Sequence, residues 1–262
     1  MKSSLLLNIG TMFILPMLVV LLPIVAGQYY GIHRKKKGIN MEPGSVGTVV
    51  GTTLALLAFM LAFTFQIVAN RYDTRKELLL NEVTEIRTIY LRAGLLPEPF
   101  NSGTKELLAE YTDIRIHSME DTSKLKAGIV RSHQILDQLW NFAEELAAQD
   151  RSSEVYALYT QSLNDLIANF NQRLTMVYEY RIPKIIMWVL ITITIFSMLS
   201  LGYQFGISGK GSFRINILLS IIFAVVMFLI LALDRPEKGL STISQKPVHT
   251  LQKQLQVWEQ NK

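Results

Sequence analysis

Six residues between Thr52 and Asn70 make the most suggestive pattern in the chain. Thr52, Leu56, Phe59, Phe63, Gln66 and Asn70 recur at steps of four, three, four, three and four, so on a helix they share one face. That face is polar at both ends and bulky and apolar in the middle. A pore wall could be built this way. Leu56, Phe59 and Phe63 would form a hydrophobic constriction that gates by dewetting, and Gln66 and Asn70 would line its exit. The competing reading is tight packing within a helix bundle, with Gln66 and Asn70 hydrogen-bonded inside it. A second strip, Gly47, Gly51, Ala55, Ala58 and Ala62, runs alongside. Small residues in such a strip let helices approach closely in lipid.

Two sets of charged residues invite a role. Glu82 and Glu85 lie three apart and so share a helical face. Paired carboxylates can exchange protons. Here they stand on a stretch rich in Arg75, Lys76, Arg87 and Arg92, where ion pairing along an acidic face is the expected outcome. Arg71, Asp73 and Arg75 come after one apolar run, and Asp234 and Arg235 end another. With both ends at one depth, Asp234 is expected to pair with Arg71 or Arg75, or Arg235 with Asp73. Such pairs would fix the helix ends or form a charged ring at a pore exit.

Residue types for other chemistry are missing or badly spaced. His33, His117, His133 and His249 do not fall at metal-ligand spacing. The stretch "GYQFGISGKGS" fails as a phosphate loop, because Gly211 stands after Lys210 where Ser or Thr is required. With no cysteine, thiolate ligands and cysteine nucleophiles are excluded. The expectation is a protein that is not an enzyme and takes no cofactor or metal.

The elements that must carry these residues are apolar. Half of the 262 residues are hydrophobic and 18% are charged, too apolar a balance for an ordinary soluble domain. The apolar residues gather into four runs: Leu5–Gly27, Val46–Ala69, Pro183–Phe205 and Ile215–Leu233. Each has the length a helix needs to cross the hydrocarbon layer, where backbone groups must be satisfied within the helix. The first run could be read as a signal peptide, but its length and its poor cleavage site favour an uncleaved helix. Pro16 and Pro23 should kink or split it.

Residues 71–182 read as helices joined by short turns. "LLPEPFNSG" and "EDTSK" are breaks, separating helices over 104–119 and 125–148. "QDRSS" is a third break, with Ser153 as a cap for the next helix. On that helix Val155, Tyr159, Leu163, Leu166, Phe170, Leu174 and Val177 form one apolar stripe. It should continue towards the third apolar run, with Pro183 marking a bend or sitting in a first turn, and the second run should continue without a break past Ala69. A helix from 46 to 95 would be roughly 75 Å long and would tie membrane to block. Val248, Leu251, Leu255 and Trp258 make a short amphipathic stripe, expected to dock on the helical block rather than lie on a membrane surface.

The expected fold is thus all-α, with four transmembrane helices and a helical cytoplasmic block inserted between the second and third. The divisions are 1–70, 71–182, 183–233 and 234–262. Orientation rests on basic residues near membrane ends. Ten lie on the side of the termini and block, and six (Arg34, Lys35, Lys36, Lys37, Lys210 and Arg214) on the other. This places termini and block in the cytoplasm. The net charge of +5 is not a nucleic-acid signature, because the basic residues sit at membrane edges where they meet lipid headgroups. Residues 71–181 carry 13 basic and 17 acidic side chains.

The stretch "LLAFMLAFTFQIVANRYDTRKELLLNEVTEIRTIYLRAGLLPEP" resembles the bacterial bestrophin-like domain family. The match is carried by Tyr72-Asp73-Thr74-Arg75, by Glu82-Val83, where the family usually has Ala second, and by Tyr90-Leu91-Arg92 through Pro97. Leu233-Asp234-Arg235-Pro236 with Gly239, and "ISQKPVHTLQ", resemble the family's second signature. The resemblance implies a multi-pass protein of the bacterial inner membrane. It further implies a homo-oligomer, by analogy a pentamer, passing small anions with the second membrane helix lining a hydrophobic neck. Leu56, Phe59 and Phe63 are candidates for that neck by position and character. A non-conducting scaffold or sensor whose block binds a partner is the alternative.

Overall fold

A computed structural model describes residues 2–38, 43–120, 125–178, 182–209, 212–234 and 243–260. Among these there are eight helices and no strand: α1 (Lys2–Lys36), α2 (Pro43–Ala93), α3 (Phe100–Glu120), α4 (Leu125–Gln149), α5 (Glu154–Tyr178), α6 (Lys184–Ser208), α7 (Phe213–Asp234) and α8 (Lys246–Gln260). α1, α2, α6 and α7 are long and apolar enough to cross a membrane. The chain divides into two compact units, Met1–Asp73 with Arg181–Thr242, and Thr74–Tyr180 with Ile243–Lys262.

In the first unit α1 packs along both α6 and α7. The core is made by Val20 and Ile24 from α1, Leu57 and Val68 from α2, Leu190 and Met198 from α6, and Met227 and Ile230 from α7. Glycine sets how close α1 and α6 come. A Cβ on Gly27 would lie 2.1 Å from the Leu199 carbonyl oxygen, and one on Gly202 would lie 2.0 Å from that of Ile24. Gly31 and Gly206 repeat the arrangement one turn on, against Tyr203 O and Gln28 O. Each helix thus presents a Gly-x-x-x-Gly pair to the backbone of the other, the spacing that permits backbone contact in lipid. Polar groups in this unit are bonded between or within helices. Asn216 Nδ2 donates to Gln28 Oε1, Ser197 Oγ to the Thr53 carbonyl at 3.1 Å, and Thr194 Oγ1 to the Leu190 carbonyl at 2.7 Å.

Two expectations for the apolar helices change. α1 is not split: Pro16 and Pro23 both lie inside one continuous helix. Packing against α6 and α7 holds it together where two backbone N–H groups are missing. α5 and α6 are not continuous either. Ile182 and Pro183 are non-helical, and Pro183 stands at the N-cap of α6 with ψ 128°. Proline restricts the residue before it to extended conformations and is well placed at a helix start. At its other end α6 is closed by Gly209 at φ +70°, the left-handed cap that glycine adopts without strain.

The second unit is an ordinary water-facing core. Ile86 and Ile89 of α2, Leu108 and Tyr111 of α3, Ile135 and Leu139 of α4, and Leu163 and Leu166 of α5 are buried together. Each such side chain contributes about 1.5–3 kcal/mol. α5 starts where Ser153 Oγ accepts the Tyr156 N–H at 3.4 Å, as its capping position suggested. α3 begins at Phe100, four residues before the expected 104, because the Ser102 N–H and hydroxyl both bond Glu98 Oε2 and order that turn. α8 puts Leu251 and Leu255 into the same core, and Trp258 stacks on Tyr90 at 5.4 Å.

The glycine contact sets a test. Gly202→Ala should destabilise the protein by about 1–3 kcal/mol through overpacking. Gly10→Ala, where a Cβ meets nothing within 4 Å, should be neutral. Thermal midpoints in detergent compare the two.

Candidate functional site

The first half of α2 has a buried stripe and an open one. Val50, Leu57, Leu61, Thr64 and Val68 are buried against the chain's own helices. Two positions on from these, roughly 200° around the helix, stand Thr52, Phe59, Phe63, Gln66 and Asn70, with Leu56 in line between Thr52 and Phe59. All six are exposed, with Leu56 at 49%, Phe59 at 65% and Phe63 at 50%. The Phe59 and Phe63 rings stack with centroids 6.4 Å apart. The face is therefore not covered by any of the described residues. Gln66 and Asn70 are not in a bundle interior: Gln66 Nε2 donates to Asn70 Oδ1 at 2.6 Å along the exposed surface. Thr52 Oγ1 donates back to the Thr48 carbonyl at 2.9 Å, which leaves the methyl group to define its outer surface. The strip of Gly51, Ala55, Ala58 and Ala62 is also exposed, and a Cβ on Gly51 would meet nothing within 4 Å.

At the end of this stretch Arg71 Nη1 lies 3.6 Å from Asp234 Oδ1. The same carboxylate oxygen accepts the Ile182 N–H at 3.1 Å. Asp234 thus ties the end of α7 both to α2 and to the residue before Pro183. Asp73 is exposed; Arg235 lies outside the described residues.

Glu82 and Glu85 share a face, but it is not an exposed acidic one. It is the face that α2 turns to the core of the second unit, between the buried Leu79, Ile86 and Ile89. Glu82 is 1% exposed. It accepts Tyr111 Oη at 2.8 Å and Arg115 Nε at 3.1 Å from α3, and Arg173 Nη1 from α5. Its partners come from other helices rather than from the arginines of α2. A buried carboxylate needs this many donors to offset its desolvation. Glu85 Oε2 accepts Asn169 Nδ2 at 2.9 Å. Burial pushes the Glu85 carboxyl from 4.5 up to about 7; the Asn169 amide pulls it back, while Glu82 and Asp165 push it further.

Arg115, Arg173, Tyr111 and Asn169 were not singled out from the sequence, although a signal was there. Ser162, Leu166, Asn169 and Arg173 step by four, three and four, so three polar residues stand in line with the buried Leu166. Among the described residues no group of three or more His, Asp or Glu side chains could hold a metal ion. His117 Nδ1 is 2.8 Å from the Asp113 carbonyl, and His133 sits edge-on to Phe170 at 4.7 Å.

The model of the bestrophin-like domain family matches residues 14–248. The chain belongs to the bestrophin-like family. Solved structures agree on the fold of this bestrophin-like chain. A bacterial bestrophin homologue from Klebsiella pneumoniae with a single substitution superposes with a TM-score of 0.67 at 15% identity, covering 93% of this chain and 97% of its own. A second substituted form gives 0.66 at 16%, covering 96% and 97%. The form solved by zinc phasing gives 0.63 at 15%, covering 94% and 97%. No curated protein sequence matches. The bestrophin-like chain is thus an all-α multi-pass membrane protein, with a helical block inserted between its second and third transmembrane helices.

Two outcomes test the charged groups. Asp234→Asn keeps an oxygen for the Ile182 N–H but removes the charge beside Arg71, and should lower stability in detergent by about 1–3 kcal/mol; an unchanged midpoint would show the pair to be without structural weight. Glu85 binds a proton more tightly folded than unfolded. Its stabilising contribution is therefore full at low pH and is lost as pH rises from 4.5 towards about 7. The thermal midpoint of the wild type minus that of Glu85→Gln should fall across this window. A constant difference would mean that Glu85 does not titrate there.

Proposed function

We propose that the chain is one subunit of a homo-oligomeric ion channel, conducting small anions, in which α2 of each copy lines the pore. The observation that carries this reading is the exposed face of α2 opposite its own core. Three large apolar side chains, Leu56, Phe59 and Phe63, stand between polar residues at both ends. Lipid would suit the phenylalanines but not Gln66 and Asn70, because polar side chains in membrane helices face protein or water. A ring of α2 helices satisfies both. The small strip of Gly51, Ala55, Ala58 and Ala62 lies beside the bulky one, where a neighbouring subunit would pack closely. The bulky strip then points to the axis as a narrow apolar neck, with Gln66 and Asn70 at its exit. Arg71 with Asp234, together with Asp73 and Arg75, would surround that exit as a charged ring.

Bestrophins are pentameric anion channels, and the family resemblance supports five copies here. The distribution of basic residues supports termini and helical block in the cytoplasm of a bacterium, with the four spans in its inner membrane.

Flux into proteoliposomes under a chloride gradient, read with a membrane-potential dye, tests the proposal. The wild type should conduct. Phe59→Ala and Phe63→Ala should each raise the flux several-fold by widening and wetting the neck. Trp188→Ala, at an exposed apolar position on α6, should leave it unchanged. Absence of flux in the wild type and in both phenylalanine variants would favour a scaffold whose block binds a partner.

A further inference from the structure

A groove of about 470 Å³ lies in the first unit between α1, α2 and α6, within the size range of ligand pockets. On α2 it is lined by Val46 and Val50, which are turned away from the pore strip, and by Val49 and Ser45, which stand one and two turns before Thr52 on the same face; none of Thr52, Leu56, Phe59, Phe63, Gln66 and Asn70 lines it. Val46, Val49 and Leu199 make its walls apolar. Tyr30 and Tyr203, with ring centroids 5.8 Å apart, and Arg34 give it a polar end. Tyr30 on α1 is 55% exposed, so the groove opens on the surface of that helix, where acyl chains lie.

Arg34 is the unusual member. Its guanidinium carbon is 5.9 Å from the Tyr30 ring centroid. Its Nε is buried, with no hydrogen-bond acceptor among the described residues. Favourable interaction with the C-terminal dipole of α1 accounts for a basic residue in the last turn. It does not account for a buried N–H lining a groove without an acceptor, since such a group ordinarily has one. Lys35, Lys36 and Lys37 come directly after it and are exposed; of the charged residues described, Arg34 lines the groove and no carboxylate does.

We propose that this groove binds an anionic phospholipid. One acyl chain lies along Val46, Val49 and Leu199, and the phosphate lies on Arg34. The guanidinium fork matches phosphate geometry, tyrosines are at home at the depth of lipid headgroups, and clustered lysines favour a headgroup with net negative charge. The apolar length of the groove selects a lipid over a free phosphate. The proposal does not depend on whether the chain conducts.

The full-length protein in a neutral detergent is titrated with phosphatidylglycerol, with phosphatidylcholine of the same acyl chains, or with inorganic phosphate. Thermal midpoint and particle size are recorded together. Phosphatidylglycerol should raise the midpoint saturably, at concentrations where the other two do not. Arg34→Gln should weaken its apparent affinity about fivefold, the loss expected for one basic contact to an anionic lipid. Ser200→Trp, which fills the groove from α6, should abolish the response. Should either variant fail to fold, the other decides. An equal response to phosphatidylcholine, or to phosphate alone, would overturn the proposal. So would a phosphatidylglycerol response that survives both variants, or a Ser200→Trp protein that changes particle size while still responding, since the groove would then seat a neighbouring subunit.

Discussion

Inside a bilayer, apolar side chains gain nothing by leaving lipid for protein, so helices associate through closeness of packing and through polar contacts. The contact between α1 and α6 answers that constraint most directly. Gly27 and Gly31 face Gly202 and Gly206, and each glycine brings its own backbone against a carbonyl of the other helix. A methyl group at any of the four would collide with main chain, which cannot swing aside as a side chain can. With that spacing set, α6 can also offer Ser197 to the Thr53 carbonyl of α2, and α1 can offer Gln28 to Asn216 of α7. Both interhelical hydrogen bonds need the helices at these distances.

The second unit works under the opposite rule, since water makes apolar burial favourable. Its core is a common hydrophobic cluster with one expensive guest. Glu82 is removed from water almost completely and accepts hydrogen bonds from two arginines and a tyrosine of α3 and α5. Replacing such a cluster with apolar residues would often cost little, whereas removing one member alone is strongly destabilising. A cluster like this demands that α2, α3 and α5 stand in one register. Glu85, a turn away, has only the Asn169 amide as hydrogen-bond donor. The same burial that Glu82 withstands therefore lifts the Glu85 carboxyl towards neutrality.

α2 takes part in both units and is subject to both rules. Past Ala69 its inward face is claimed by the second core. Before that point, its inward face is claimed by α1, α6 and α7, and its outward face by nothing among the described residues. Single exposed apolar residues on a membrane helix would need no comment. Here they stand in line with Thr52, Gln66 and Asn70, and beside an equally unclaimed strip of small residues. The proposed ring of copies rests on that combination.

The helices themselves were legible in the sequence. Four apolar runs, the Pro and Gly clusters between helices, the Ser153 cap and the stripe on α5 each act within a few residues, because capping, turn chemistry and helical periodicity are local. So was the fact that Glu82 shares a face with Glu85, and that Leu56, Phe59 and Phe63 share another. Periodicity fixes which residues lie on one face of a helix but not what that face meets. Tertiary structure turned the Glu82 face inward onto Arg115 and Arg173, left the Phe59 face outward, and chose Gly27, Gly31, Gly202 and Gly206 over the α2 strip for close contact. It also held α1 together across Pro16 and Pro23. Each of these depends on residues far apart in the chain, whose meeting is a matter of packing energy and not of spacing.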